Sequence, residues 1–246
     1  MRKMLLAAAL AGLVVQVQGA TFPGSISREP LVRGNVSERL SVGLGYDRIE
    51  RDIKFSGGRG TEVLKADSIS GYVGYNVLPW FTTFVTAGGT SLRGDRWSSR
   101  DYALRMSAGV NAYLWEGDVL TPAFAAGRIS VKGTAELARH EADTSVGSSE
   151  WFELIAALPV GYELFDRYPV NKSGLSTSLA LYVGPAVSFL NGDLTVTPGI
   201  KQGFKQDQSL GVVAGVDVYF APSVSVGLKA LVFDRVTTGA SLRFHF

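Results

Sequence analysis

The sequence predicts an all-β fold: a transmembrane antiparallel up-and-down β-barrel of about ten strands, roughly eight to twelve at the limits. Three observations carry this. Segment after segment alternates apolar with small or polar residues at the period of two that a strand imposes. Past the N-terminal segment, no apolar run approaches the ~20 residues of a membrane-crossing helix, so a chain embedded in a membrane must cross it with strands. The apolar face is rich in Leu, Val and Phe, whereas the opposite face is mostly Gly, Ser and Thr. That reverses the arrangement of a soluble barrel.

The chain opens with Arg2 and Lys3, apolar Met4 to Val15, and the small-residue site Val17-Gln18-Gly19. This is the pattern of a cleaved signal peptide over 1–19. Residues 20–37, with Pro23, Gly24, Pro30 and Gly34, read as a periplasmic lead-in, and 38–246 as the barrel. The first strand places Leu40, Val42, Leu44 and Tyr46 on one face. The second does the same with Ile69, Gly71, Val73, Tyr75 and Val77, and Leu78-Pro79-Trp80 turns the chain because Pro cannot donate to a ladder. Phe81 to Leu92 is a Thr- and Gly-rich third strand whose faces stay unassigned. The fourth alternates from Tyr102 to Leu114, with a turn expected at Glu116-Gly117-Asp118; Leu120 to Val131 is a less regular fifth.

Lys132 to Glu150 is a long polar stretch and reads as an outer loop. A sixth strand follows from Phe152 to Leu164, and a seventh from Thr177 to Phe189, joined by a turn over Asp166 to Gly174. Asn191 to Gln206 reads as a second polar outer loop. The eighth strand alternates from Leu210 to Phe220, the ninth from Val224 to Val232 after the turn at Ala221-Pro222-Ser223, and the tenth closes the chain. An even count leaves both termini in the periplasm, with tight turns there and longer loops outside. Trp80, Phe81, Tyr113, Trp115, Phe165, Tyr219 and Phe220 then fall near the periplasmic strand ends, and Trp97 and Trp151 near the outer ends, as two interfacial bands.

In the last eight residues, Ala240, Leu242, Phe244 and Phe246 share one face, with Ser241, Arg243 and His245 on the other. Here the chain resembles the small bacterial outer-membrane β-barrels, the OmpA-like group in the broad sense, without a subfamily. The resemblance implies export through the periplasm into the outer membrane and contact with its lipid and lipopolysaccharide. It also implies that the insertion machinery reads the terminal strand, with Phe244 and Phe246 as the assembly signal. A monomer is expected.

Composition narrows the function classes. Removing Arg2 and Lys3 with the signal leaves 22 basic and 22 acidic residues, a neutral chain with no support for nucleic-acid binding. With 0 Cys there is neither a disulfide framework nor a thiolate metal site. Arg105, Glu153, Glu163, Asp217, Lys229 and Arg243 fall on inward faces of different strands, and Tyr72, Tyr113, Tyr182 and Tyr219 join them. Three basic and three acidic groups can neutralise one another, so the expectation is a lumen plugged by paired charges; the alternative is a narrow porin.

No enzyme, cofactor or metal is expected. His245 lies at the periplasmic end, and His140, with Glu141 and Asp143, reads as a solvated loop residue without triad or ligand spacing. The pattern also lacks the paired acidic and Asp-x-His segments of omptin proteases. Arg93-Gly94-Asp95 and Gly57-Gly58-Arg59-Gly60 are ordinary loop and turn chemistry. Replacing Phe246 by Ser is expected to lower the amount of heat-modifiable, membrane-inserted protein, measured by gel mobility of the membrane fraction.

Overall fold

The computed structural model describes residues 39–57, 60–93, 99, 101–119, 127–144, 147–165, 178–197, 200–221 and 224–246. The calls for the signal peptide, the lead-in, Gly94 and Asp95, Trp97 and the turns near Asn171 and Pro222 lie outside them. Twelve strands form an antiparallel up-and-down ring: β1 Leu40–Phe55, β2 Thr61–Leu78, β3 Phe81–Leu92, β4 Ala103–Val119, β5 Gly127–Thr144, β6 Gly147–Ala157, β7 Val160–Phe165, β8 Ser178–Thr197, β9 Ile200–Gln206, β10 Leu210–Ala221, β11 Val224–Val232 and β12 Val236–His245. Apart from β6 with β7 and β9 with β10, neighbours in sequence pair in space, and β7 and β9 each pair β8. The ring is completed by β8 with β10 (Val183↔Ala214) and by β12 with β1 (Leu44↔Leu242, Val42↔Phe244).

The count is twelve, not ten, because two staves of the ring are interrupted. Pro159 has no amide hydrogen and breaks the ladder between β6 and β7, yet both segments pair with β5 and with β8. A second break at Asp207-Gln208-Ser209 separates β9 from β10, both of which pair with β8.

Several strands run well beyond the expected ends. β1 has 16 residues, β2 18, β5 18 and β8 20, against the ~9–11 residues that cross a bilayer. Lys132 to Glu150 is therefore β5 turning into β6, Asn191 to Gln206 is the end of β8 turning into β9, and Glu116-Gly117-Asp118 lies within β4 rather than in a turn. The cause is visible in β1. Its outward residues Leu40, Val42, Leu44 and Tyr46 give way to Arg48, Glu50, Asp52 and Lys54, while inward Ser41, Gly43, Gly45 and Asp47 give way to Ile49, Arg51, Ile53 and Phe55. Side-chain parity is unbroken; the chemistry changes sides. β2 inverts where outward Ile69 meets Asp67 and Lys65, β5 where Leu137 meets Arg139, and β8 where Phe189 meets Asn191 and Asp193. A sequence window spanning the inversion shows neither pattern.

The ring thus has two tiers. Around the tier in which β1 begins and β12 ends runs an exposed apolar belt with a member from most strands, including Leu44, Val73, Val85, Met106, Leu137, Leu154, Val183 and Val212. The distal tier is charged outside, with ion pairs Arg48–Glu50, Arg93–Asp67, Arg139–Glu150, Lys54–Asp207 and Arg235–Asp52. Inside it, Ile49, Ile53, Phe55, Leu64, Leu92, Trp151, Leu190, Leu194 and Phe204 form one apolar cluster across the lumen. Each large apolar side chain buried there contributes roughly 1.5–3 kcal/mol. This tier is also narrower. The β11–β12 hairpin turns early at Phe233-Asp234-Arg235, and above it β9 pairs directly with β1, from Ile53↔Gln206 to Phe55↔Phe204.

The structure also assigns β3: Thr82, Phe84, Thr86, Thr90 and Leu92 point inward, and Thr83, Val85 and Ala87 outward. Lumen aromatics lie over glycines directly opposite on the next strand, Phe84 over Gly109 and Tyr182 over Gly215. A side chain at either glycine would be built into the ring. Gly71, by contrast, is outward, and the nearest atom to an added Cβ is 3.7 Å away. Gly215→Val is expected to destabilise the folded barrel by about 1–3 kcal/mol in urea titrations. Gly71→Ala should stay within about 0.5 kcal/mol of the parent.

Candidate functional site in the lumen

Between the distal apolar cluster and the terminal end of the ring, where β1 begins and β12 ends, the inner face holds charge. The buried lumen residues Asp47, Glu136, Glu153 and Asp217 are acidic, and Arg51, Arg105, Lys229 and Arg243 basic, so the described set is balanced. Strand parity places each of them, and antiparallel register sets their heights.

Arg51 on β1 is fully buried and donates from Nη2 to Glu153 Oε1 of β6 at 3.1 Å, across the lumen. Its Nη1 donates to the Glu50 carbonyl at 2.9 Å and to the Thr237 hydroxyl. The guanidinium also stacks on Phe233, 4.6 Å from the ring centre, which draws the short β11–β12 hairpin inward. Arg105 on β4 bonds Glu136 Oε1 at 3.2 Å and the Thr86 hydroxyl at 3.0 Å, with Asp47 at 3.7 Å. Asp47, Arg51, Arg105, Glu136, Glu153 and Lys229 line a cavity of about 20 Å³, room for about one water molecule. Glu153 also accepts from Ser188, which donates in turn to Gln206. A hydroxyl has a single proton, so Ser188 serves one of these acceptors at a time.

Of the six residues expected in the cluster, Arg105, Glu153 and Lys229 line this cavity. Asp217 and Arg243 are buried nearer the terminal end, Arg243 with its guanidinium 4.5 Å from the Tyr72 ring centre. Glu163 is not among them. It lies at the terminal end on β7, half-buried, accepting from Ser178 at 3.1 Å. Asp47, Arg51 and Glu136 were absent from the expected set. Arg51 stands past the expected end of the first strand and Glu136 inside the supposed loop; carrying the parity of Ser41 and Ser130 onward would have found both.

His140 is the largest correction. It is not in a solvated loop but fully buried on β5, with Nδ1 3.0 Å from the Thr90 hydroxyl and Ser68 beyond at 3.2 Å. Trp151, expected at an outer interface, is also fully buried and stacks on His140 with ring centres 4.7 Å apart and planes 3° apart. At the terminal end His245 Nε2 pairs with the Ser225 hydroxyl at 3.0 Å, and Tyr113 packs under Lys132. Among the described residues, no group of three or more His, Asp or Glu side chains is arranged to hold a metal ion.

No family model and no curated protein matches the chain. Solved structures similar to the chain include three bacterial outer-membrane proteins. The outer membrane protease OmpT of Escherichia coli is 11% identical with a TM-score of 0.39, the match covering 85% of this chain and 97% of that one. The outer membrane protein Omp33 of Acinetobacter baumannii is 12% identical with a TM-score of 0.26, covering 86% and 100%. OmpF of Salmonella typhi, in complex with daunomycin, is 9% identical with a TM-score of 0.18, covering 83% and 97%. At these scores none of their activities carries over to this chain.

Removing one partner of a buried pair strands the other charge. Glu153→Leu is therefore expected to cost roughly 3–5 kcal/mol in urea unfolding, and Arg51→Met/Glu153→Leu together much less. Arg139→Met on the exposed face should cost about 1 kcal/mol or less.

Proposed function

We propose that this protein is an outer-membrane barrel with a lumen plugged by its own side chains, acting in a structural or surface-interaction role through its distal tier and loops. The observation that carries the reading is the double obstruction of the lumen. A neutral set of ion pairs crosses it at mid-height, and the apolar cluster built on Trp151, Leu190 and Phe204 crosses it again above. Ion conduction would require separating pairs such as Arg51–Glu153 in a space that holds about one water.

Support for the membrane comes from the belt. Apolar patches exposed on soluble monomers rarely exceed a few hundred Å², whereas here apolar residues are exposed on most strands of the ring. Trp80, Trp115, Phe220, Phe244 and Phe246 gather at the terminal edge of the belt, where an interface with water favours aromatic rings. The lipid and lipopolysaccharide of that membrane are then the immediate partners, with insertion read from the terminal strand. An enzymatic role gains nothing from His140, whose ring is sealed under Trp151.

Purified protein in planar bilayers is expected to show no steady open conductance, while remaining folded by its heat-modifiable mobility. A stable open level in the wild type would replace the plugged barrel with the narrow porin.

A further inference from the structure

The chain has two histidines, and His140 stands where the charged and the apolar fillings of the lumen meet. It is fully buried on β5, past Leu137, the last outward belt residue of that strand, and outward Arg139 and Glu141 flank it. Its ladder partners are Arg105 on β4 and Trp151 on β6. Trp151 covers one face of the ring and belongs, with Leu92 and Ala142, to the distal apolar cluster. β3 and β2 offer it hydroxyls only, Thr90 at Nδ1 with Ser68 behind. Nε2 has no hydrogen-bond partner among the described residues.

These surroundings suit a neutral ring and not a charged one. An imidazolium carries an N–H on each nitrogen; Thr90 can accept from one, and the other finds no acceptor. The charged group beside the ring on β4 is a cation, Arg105. The nearby carboxylates are engaged elsewhere, Glu136 of β5 and Asp47 of β1 with Arg105, and Glu153 of β6 with Arg51 of β1. The Trp151 face attracts a cation, but one ring face does not replace the hydration that a buried ion gives up. Burial first, and Arg105 second, hold the His140 ring well below the ordinary imidazole range.

We propose that His140 is an acid latch on the upper half of the lumen plug: the apolar cluster stays packed while the ring is neutral, and acid favours an opened distal tier in which the ring takes a proton. The sign follows from linkage. The packed tier excludes the proton, whereas an opened tier binds it with the ordinary affinity of imidazole, half-saturated near pH 6.5. The packed state is therefore fully favoured above about pH 6.5, and below it the opening equilibrium grows roughly ten-fold per pH unit. The inference rests on the plugged lumen proposed above.

The test uses the absence of cysteine. Ala142→Cys places a single thiol in the buried cluster of the full chain in detergent micelles. Its rate of labelling by dithiodipyridine, divided at each pH by the rate for the urea-unfolded chain, reads the opening equilibrium. Between pH 7.5 and 5.5, a window above the titration of ordinary carboxyls, this ratio is expected to rise about ten-fold. His140→Gln and His140→Phe should each flatten it, and His245→Gln should leave the rise intact. Heat-modifiable mobility at both pH values reports that the ring itself stays folded.

A flat ratio in the Ala142→Cys parent would overturn the latch, as would an equal rise in the His140 variants or loss of the rise in His245→Gln. Should Ala142→Cys fail to fold, Ala66→Cys, in the same cluster on β2, gives the same reading. Steady conductance at neutral pH refutes the plugged lumen instead, and a flat ratio without conductance refutes the latch alone, so the two failures are distinct.

Discussion

Strand parity is the constraint on which the rest of this structure depends. A strand paired on both sides cannot rotate its side chains from one face to the other without a bulge, so each stave keeps one inward and one outward row except where a bulge near a strand end, as at Tyr113/Trp115 or Asn76/Leu78, shifts the register. Where the surroundings outside the ring change along its height, only the residue types can change. β1 does this between Tyr46 and Arg48 on the outside and between Asp47 and Ile49 on the inside. The result is one ring with two solvation regimes: polar-filled and apolar-coated below, apolar-filled and charge-coated above.

That inversion explains how the lumen is filled. Below it, the inner face carries charges that burial makes expensive unless they are paired, and Arg51–Glu153 and Arg105–Glu136 meet that cost with hydrogen bonds from Thr237, Thr86 and Ser188. Above it, removing β10, β11 and β12 from the ring narrows the tier by bringing β9 directly beside β1, and on these adjacent strands Phe55 contacts Phe204 with ring centres 5.9 Å apart. Arg51 joins the two regimes. Its guanidinium belongs to the ion pairs, while its stacked partner Phe233 belongs to the hairpin whose early turn lets β9 reach β1.

Glycine does related work at the wall. Phe84 and Tyr182 lie flat over Gly109 and Gly215 because those positions offer no Cβ, and the lumen gains aromatic filling without widening. The inner Gly-rich faces read in the sequence are therefore seats for rings as well as space for small side chains.

The sequence by itself determined the class of fold, because the period-two alternation and the apolar outward row of Leu44, Val73, Leu154 and Val212 are local properties of each strand. It also determined which strands carry Arg105, Glu153, Lys229, Asp217 and Arg243, since parity near the belt is unambiguous. Only the tertiary structure decided where the strands end, how many segments the ring contains, and which charges meet. Arg51 lies where apolar and polar rows have exchanged sides, Glu136 lies just before that exchange on β5, and His140 lies in a stretch whose outward neighbours Arg139 and Glu141 are charged. There the local signal is that of a loop. Ladder pairing is what holds those residues extended and turns them inward, Arg51 opposite Leu64, Glu136 between Gly109 and Ile155, and His140 between Arg105 and Trp151.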